Sequence, residues 1–151
     1  MPNTYIAPPL DHMRGWAVST LLSFHGKPYL WGGDDPMAGF DCSGLVMEAL
    51  QSVGMIKRGL DYTAAGLYNM FRSRVVDTPK AGCLVFWYDS HGGNIIHVEM
   101  CVDKYYVVGA SGGGRATDSL QDAIDQNAYV KMSPINYRGS NYIIVDPFMD
   151  S

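Results

Sequence analysis

The strongest constraint in this chain is a change in the spacing of its apolar residues near Pro79. Before it they recur at three- and four-residue steps; beyond it they gather in short runs rich in β-branched and aromatic residues. Helical spacing in one half and strand texture in the other predict an α+β fold, N-terminal helices packed on a C-terminal antiparallel sheet of about five strands. At 151 residues the chain has room for one core, so residues 1–151 are expected to form a single domain.

In the helical half, residues 11–25 place Trp16, Ala17, Leu21 and Phe24 on one predicted face. Gly26, Pro28 and the run Gly32-Gly33-Asp34-Asp35-Pro36 then break regular structure, so residues 27–40 read as a structured loop. A second helix is expected over residues 43–53, with Asp41 as N-cap and Gly54 as its stop. Thr63 caps a third that ends at Phe71 and buries Ala64, Leu67, Tyr68 and Phe71. In the strand half, residues 83–88, 95–102 and 105–108 read as three successive antiparallel strands. Residues 129–132 and 142–145 supply two more, after a helical turn over 118–126.

Charge and cysteine usage remove several classes of function. Eleven Lys and Arg against fifteen Asp and Glu leave a net charge of −4, and no basic run interrupts it, so nucleic acid is not an expected partner. No apolar stretch approaches the roughly 20 residues that span a bilayer. Residues 1–10 lack the basic start and apolar segment of a secretory signal, so synthesis in the cytoplasm without export by that route is expected. Three cysteines, Cys42, Cys83 and Cys101, cannot all pair, so at least one is a thiol. With no C-x-x-C or H-E-x-x-H pattern, neither a metal nor a cofactor is expected.

Of the three thiols, Cys42 stands out by position. It follows an aspartate cap and opens an amphipathic helix, where the helix dipole and the unpaired first-turn N–H groups favour a thiolate over a thiol. The same N–H groups suit the oxyanion of an acyl-transfer intermediate, and Ser43 and Gly44 leave room for a carbonyl to approach. The alternative is an inert packing cysteine. His97, between Ile96 and Val98 in a predicted strand, is the candidate base or else a satisfied core histidine. His12, His25 and His91 read as solvated, and Cys83 and Cys101 as core. Tyr29 and Trp31 sit in the Gly-rich loop before Cys42, either as cleft walls or as core.

The segments Pro28-Tyr29-Leu30-Trp31-Gly32-Gly33, Phe40-Asp41-Cys42-Ser43-Gly44-Leu45-Val46, Pro79-Lys80-Ala81-Gly82-Cys83-Leu84-Val85-Phe86 and His97-Val98 occur in that order. With them the chain resembles the NlpC family of bacterial cell-wall cysteine peptidases. The resemblance implies a papain-like architecture and a substrate, the stem peptides of peptidoglycan, cut between D-γ-glutamate and diaminopimelate or lysine. It implies Cys42 as nucleophile, His97 as base, Tyr29 beside the nucleophile as an aid to oxyanion binding, and Asp41 and Ser43 as substrate-binding residues, Asp41 doubling as helix cap; Trp31 joins the substrate-binding set from its place in the loop. Residues 109–115 and the ending from Tyr129 look similar to stand-alone, phage-associated members. That likeness implies a protein that reaches the wall through a holin or a virion, a bacterial cytoplasmic recycling enzyme being the alternative without an export signal; a monomer is expected.

The chain departs from the family at one position. Where members carry a third polar residue on the strand after the base, this sequence has Gly109. Glu99 lies two residues beyond His97, so strand alternation puts both on one face about 6.5–7 Å apart at Cα, and Glu99 either orients the ring or faces solvent. Two competing readings share the same residues. One is a wall amidase of the related amidohydrolase/peptidase type, and the other is a catalytically silent wall-binding or tail component.

Overall fold

The computed structural model describes residues 8–35 and 39–149, so residues 36–38 of the loop expected over 27–40 lie outside the described residues. Helix α1 (Leu10–Ser23) leads into a two-residue ladder of β1 (Asp34–Asp35) and β2 (Gly39–Phe40), within the stretch expected to be a structured loop. Helices α2 (Cys42–Ser52) and α3 (Ala64–Phe71) follow. The strands β3 (Leu84–Tyr88), β4 (Ile95–Cys101) and β5 (Tyr106–Ser111) come next, then α4 (Leu120–Gln126), β6 (Tyr129–Pro134) and β7 (Tyr142–Val145). The five long strands form one antiparallel sheet in the order β6-β5-β4-β3-β7, an α+β arrangement of helices first and sheet second.

Local chemistry accounts for the helix boundaries. Asp41 Oδ1 accepts from Gly44 N at 2.7 Å to start α2, and Thr63 Oγ1 accepts from Gly66 N at 3.1 Å to start α3. The first ends where Gly54 takes a φ of 78°, a conformation open to glycine without steric cost. Asp103 Oδ1 accepts from the backbone of Tyr105 and Tyr106, closing the short turn between β4 and β5.

Strand alternation divides the sheet into two unlike faces. Leu84, Phe86, Val98, Met100, Val108, Ala110 and Val145 point to the helices and join Leu45, Val46, Ala49 and Leu67 in the main core. Cys83, Val85, Trp87, Cys101, Val107 and Ile144 point the other way into a smaller cluster, with Ile135 and Tyr142 packed against it. Glu99 shares the second face with Cys101, and Gly109 shares it with Val107. The second face therefore carries the polar groups, while the first is hydrocarbon.

Helix α1 buries the expected Ala17 and Leu21 and packs Phe24 on the core, but departs from expectation at Trp16 and Arg14. Trp16 is 61% exposed, and the buried residues are Arg14, Ala17 and Leu21. A guanidinium takes the position because Asp146, just after β7, accepts from it through both oxygens at 2.9 Å, while Ala81 O accepts a third bond at 3.0 Å. This fork ties the first helix to the end of the last strand and to the turn before β3. Replacing Asp146 with Ala leaves the guanidinium buried without its carboxylate and should destabilise the fold by about 3–5 kcal/mol. Urea unfolding checks this, and an unchanged midpoint would show that the pair contributes nothing.

Candidate active site

The approach to α2 is built from backbone rather than side chains. Asp41 N donates to Gly33 O at 2.9 Å, bringing that carbonyl so close to the first turn that a β-carbon on Gly44 would overlap it. Only glycine fits at position 44, while Gly33 is required by the carbonyls of Leu30 and Gly39 and Gly32 by its positive φ of 71°. The Asp41 carboxylate spans the same seam, with Oδ1 on Gly44 N and Oδ2 on Gly32 N at 3.1 Å. Burial raises the Asp41 pKa above 3.8 despite those two backbone bonds, which pull it down. Ser43 is 8% exposed and donates to Asp41 Oδ1 at 3.4 Å. Cys42 opens the helix and is partly exposed.

His97 of β4 is 5% exposed and meets this helix start. Its Nε2 lies 2.8 Å from Glu99 Oε2, so Nδ1 is the ring nitrogen that Glu99 does not engage, and the ring also interacts with Cys42. Burial alone would lower the His97 pKa, but contacts with Cys42 and Glu99 outweigh it and hold the ring above its ordinary 6.5. Glu99 has no exposed surface, so it does not face solvent. Its side chain occupies the volume beside Gly109, where a β-carbon would collide with it. The missing side chain at 109 and the carboxylate at 99 are thus one steric arrangement.

The same carboxylate oxygen accepts a second bond, from the Tyr137 hydroxyl in the loop between β6 and β7. Nothing in the sequence pattern pointed to Tyr137. It is 38 positions from Glu99 in an irregular loop, where no periodicity assigns a side chain to a partner.

Cys42 and His97 line a cleft of about 560 Å³ together with Tyr29, Trp31, Asp41 and Ser43, so all the residues singled out except the fully buried Glu99 border one space. Tyr29 is 5% exposed, and burial, then the nearby Cys42 and Asp41, hold its hydroxyl protonated well above the usual tyrosine range. Gly113 makes room for its ring, which a β-carbon there would strike. Trp31 is 50% exposed at the rim, its backbone N–H donating to Thr117 O at 2.6 Å and the Arg115 guanidinium lying 5.8 Å from its ring. Asp61 and Arg138 border other parts of the cleft. His12, His25 and His91 are exposed, while Cys83 and Cys101 are buried thiols whose pKa burial pushes up. Among the described residues no three of His, Cys, Asp and Glu gather as a metal site.

Comparison with known proteins bears on this geometry. The murein DD-endopeptidase MepH of Escherichia coli (strain K12) is 36% identical over 88 residues, which cover 57% of this chain and 32% of that protein. The bifunctional muramidase/DL-endopeptidase CwlT of Bacillus subtilis (strain 168) is 37% identical over 82 residues, covering 54% of this chain and 24% of that protein. The chain thus matches a third or less of the length of these relatives. The crystal structure of an NlpC/P60 family protein from Bacillus cereus ATCC 10987 superposes with a TM-score of 0.71 at 22% identity, covering 97% of this chain and 43% of that one. Residues 26–133, from the turn after α1 to the end of β6, match the NlpC/P60 family, and the chain belongs to it.

Proposed function

We propose that the protein is a cysteine endopeptidase that hydrolyses stem peptides of peptidoglycan, and that residues 1–151 act as one catalytic domain. The observation that carries this reading is the meeting of Cys42, at the first position of α2, with the buried pair of His97 and Glu99 in one open cleft. The wall as substrate is supported by the relatives named murein DD-endopeptidase and muramidase/DL-endopeptidase.

In the proposed reaction His97 takes the proton of Cys42, or holds it as an ion pair, and Sγ attacks the scissile carbonyl. Gly44 N is taken by Asp41, so the first-turn N–H groups of Cys42 and Ser43 are the backbone donors to the oxyanion. Tyr29, kept protonated beside Cys42, adds a hydroxyl donor. The imidazolium passes its proton to the leaving amine, giving an acyl-enzyme, and water deprotonated by the same ring releases the acyl product and restores the thiol. Glu99 orients the ring and favours its charged form, and Trp31 and Ser43 border the bound peptide. Asp41 acts foremost through the helix start, since both its oxygens already accept backbone bonds.

A silent wall-binding protein would have no use for a carboxylate held against a buried imidazole, so the Glu99 geometry favours the hydrolase. The relatives' names divide between DD and DL cleavage. We assign this chain the bond from D-γ-glutamate to diaminopimelate or lysine.

Two measurements test this reading. Cys42→Ala should abolish digestion of purified sacculi without changing the circular dichroism, and mass analysis of wild-type fragments should show chains ending in D-glutamate. Fragments cut at the cross-link, or at the sugar–peptide amide, would replace the assigned bond or the enzyme class. The second is a pH profile. Because the folded His97 pKa lies above 6.5, the imidazolium needed for proton donation survives past that pH and is lost as pH rises through the folded value. The descending limb of kcat/KM should therefore fall above pH 6.5, and Glu99→Gln should move it toward lower pH; a limb indifferent to that change would remove Glu99 from the mechanism.

A further inference from the structure

Glu99 poses a problem that His97 alone does not solve. Its carboxylate is fully enclosed, yet His97 Nε2 reaches only Oε2, and Oε1 has no partner among the described residues. The terminal torsion of a glutamate is soft and nearly two-fold, so one bond to a titrating ring does not fix which oxygen is presented. The hydroxyl of Tyr137 donates to the same Oε2, and two donors converging on one oxygen define the carboxylate's rotation. Burial and Glu99 together keep that hydroxyl protonated well above the ordinary tyrosine range, so it remains a donor while His97 titrates.

The tyrosine is itself held. Its ring meets Trp87 edge-on, with centroids 5.9 Å apart and planes at 73°, and Trp87 in turn lies 5.5 Å from the His97 ring. Arg138 stands 6.0 Å from the rings of both Trp87 and Tyr137. One indole is thus a common wall for the imidazole and for the phenol that anchors its carboxylate. The groups that act on the imidazole directly are Cys42 from α2 and Glu99 from β4. Tyr137 and Arg138 approach on the β6–β7 loop, Tyr137 through Glu99 and Arg138 across Trp87.

We propose that Tyr137 is a positioning residue: its hydroxyl locks the Glu99 carboxylate against His97 Nε2, and the two together do from β4 and the β6–β7 loop what Gly109 on β5 has no side chain to do. The proposal rests on the peptidase reading for its turnover test, but not for its thiol test.

Tyr137→Phe keeps the ring against Trp87 and removes only the donor. On sacculi its kcat should fall about tenfold, the scale of one hydrogen bond to a charged group, with KM unchanged and the descending limb moved to lower pH. Without substrate, the pH dependence of Cys42 alkylation by iodoacetamide, followed by intact mass, should shift in the same direction. The double variant with Glu99→Gln should be no slower than Glu99→Gln alone, because the two residues act in series. Gly109→Ala, which crowds Glu99 from the opposite side, is the second variant and should displace both profiles in the same sense. Near-ultraviolet circular dichroism establishes that each variant is folded. Unmoved profiles in the folded variants, or losses that multiply in the double variant, would overturn the proposal. Intact sacculi with the wild type, beside a Cys42 alkylation profile that still shifts in Tyr137→Phe, would overturn the substrate assignment and leave the role of Tyr137 standing.

Discussion

The first turn of α2 lies against the carbonyl of Gly33 with no side chain between them, and the position of Cys42 follows from that contact. A helix packed by side chains alone can slide by a few tenths of an ångström as rotamers adjust. This one is fixed by backbone on backbone, and by a carboxylate that accepts from Gly32 on the loop side and Gly44 on the helix side. Positions 33, 41 and 44 therefore act as one unit whose product is the placement of position 42. The cost is a buried Asp41 whose ionised form is less favoured than in water, offset by the backbone donors.

The sheet supplies the complementary constraint through the unlike character of its faces. The helix-side face is apolar and close-packed, which holds α2 and α3 against β4. The other face encloses only a small cluster under the loop that carries Tyr137, and His97 and Glu99 lie at its polar end. A hydrogen-bonded polar pair there avoids displacing the main core. Partners on α2 and on the β6–β7 loop meet it from two sides, so neither member of the pair is left buried without an opposing group.

How much of this was legible in the chain depended on the range of each interaction. Helix starts were readable because Asp41 and Thr63 cap donors only three residues away. Strands were readable because alternation is local, and the same two-residue period puts Glu99 on the strand face of His97. In α1 the places of Ala17 and Leu21 were readable, but the burial of Arg14 in place of Trp16 was not. That burial is set by Arg14 binding Asp146 across 132 positions, and a guanidinium at that place looks solvent-facing on pattern alone. Tyr137 escaped for a related reason, since an irregular loop offers no period from which to infer where a side chain ends. The cleft borders at Tyr29 and Trp31 were half legible. Their neighbouring glycines marked a tight loop, but the burial of one and the exposure of the other come from contacts with residues 113–117.

Position 109 shows why a missing side chain is weak evidence for a missing function. A glycine on β5 removes any orienting group from that strand, and it also vacates the volume into which a longer side chain from β4 can fold. Neighbouring positions on one strand face are about 6.5–7 Å apart at Cα, too far for short side chains to meet and within reach of glutamate and histidine bending toward each other. The proposed orienting carboxylate thus comes from the strand of the base itself, so ring and carboxylate share one backbone and their separation is less exposed to shear between strands. What such an arrangement lacks is a fixed rotation of the carboxylate, because the glutamate side chain has one more torsion than an aspartate. A donor from outside the strand is the direct remedy, and the phenol packed on Trp87 is in place to provide it.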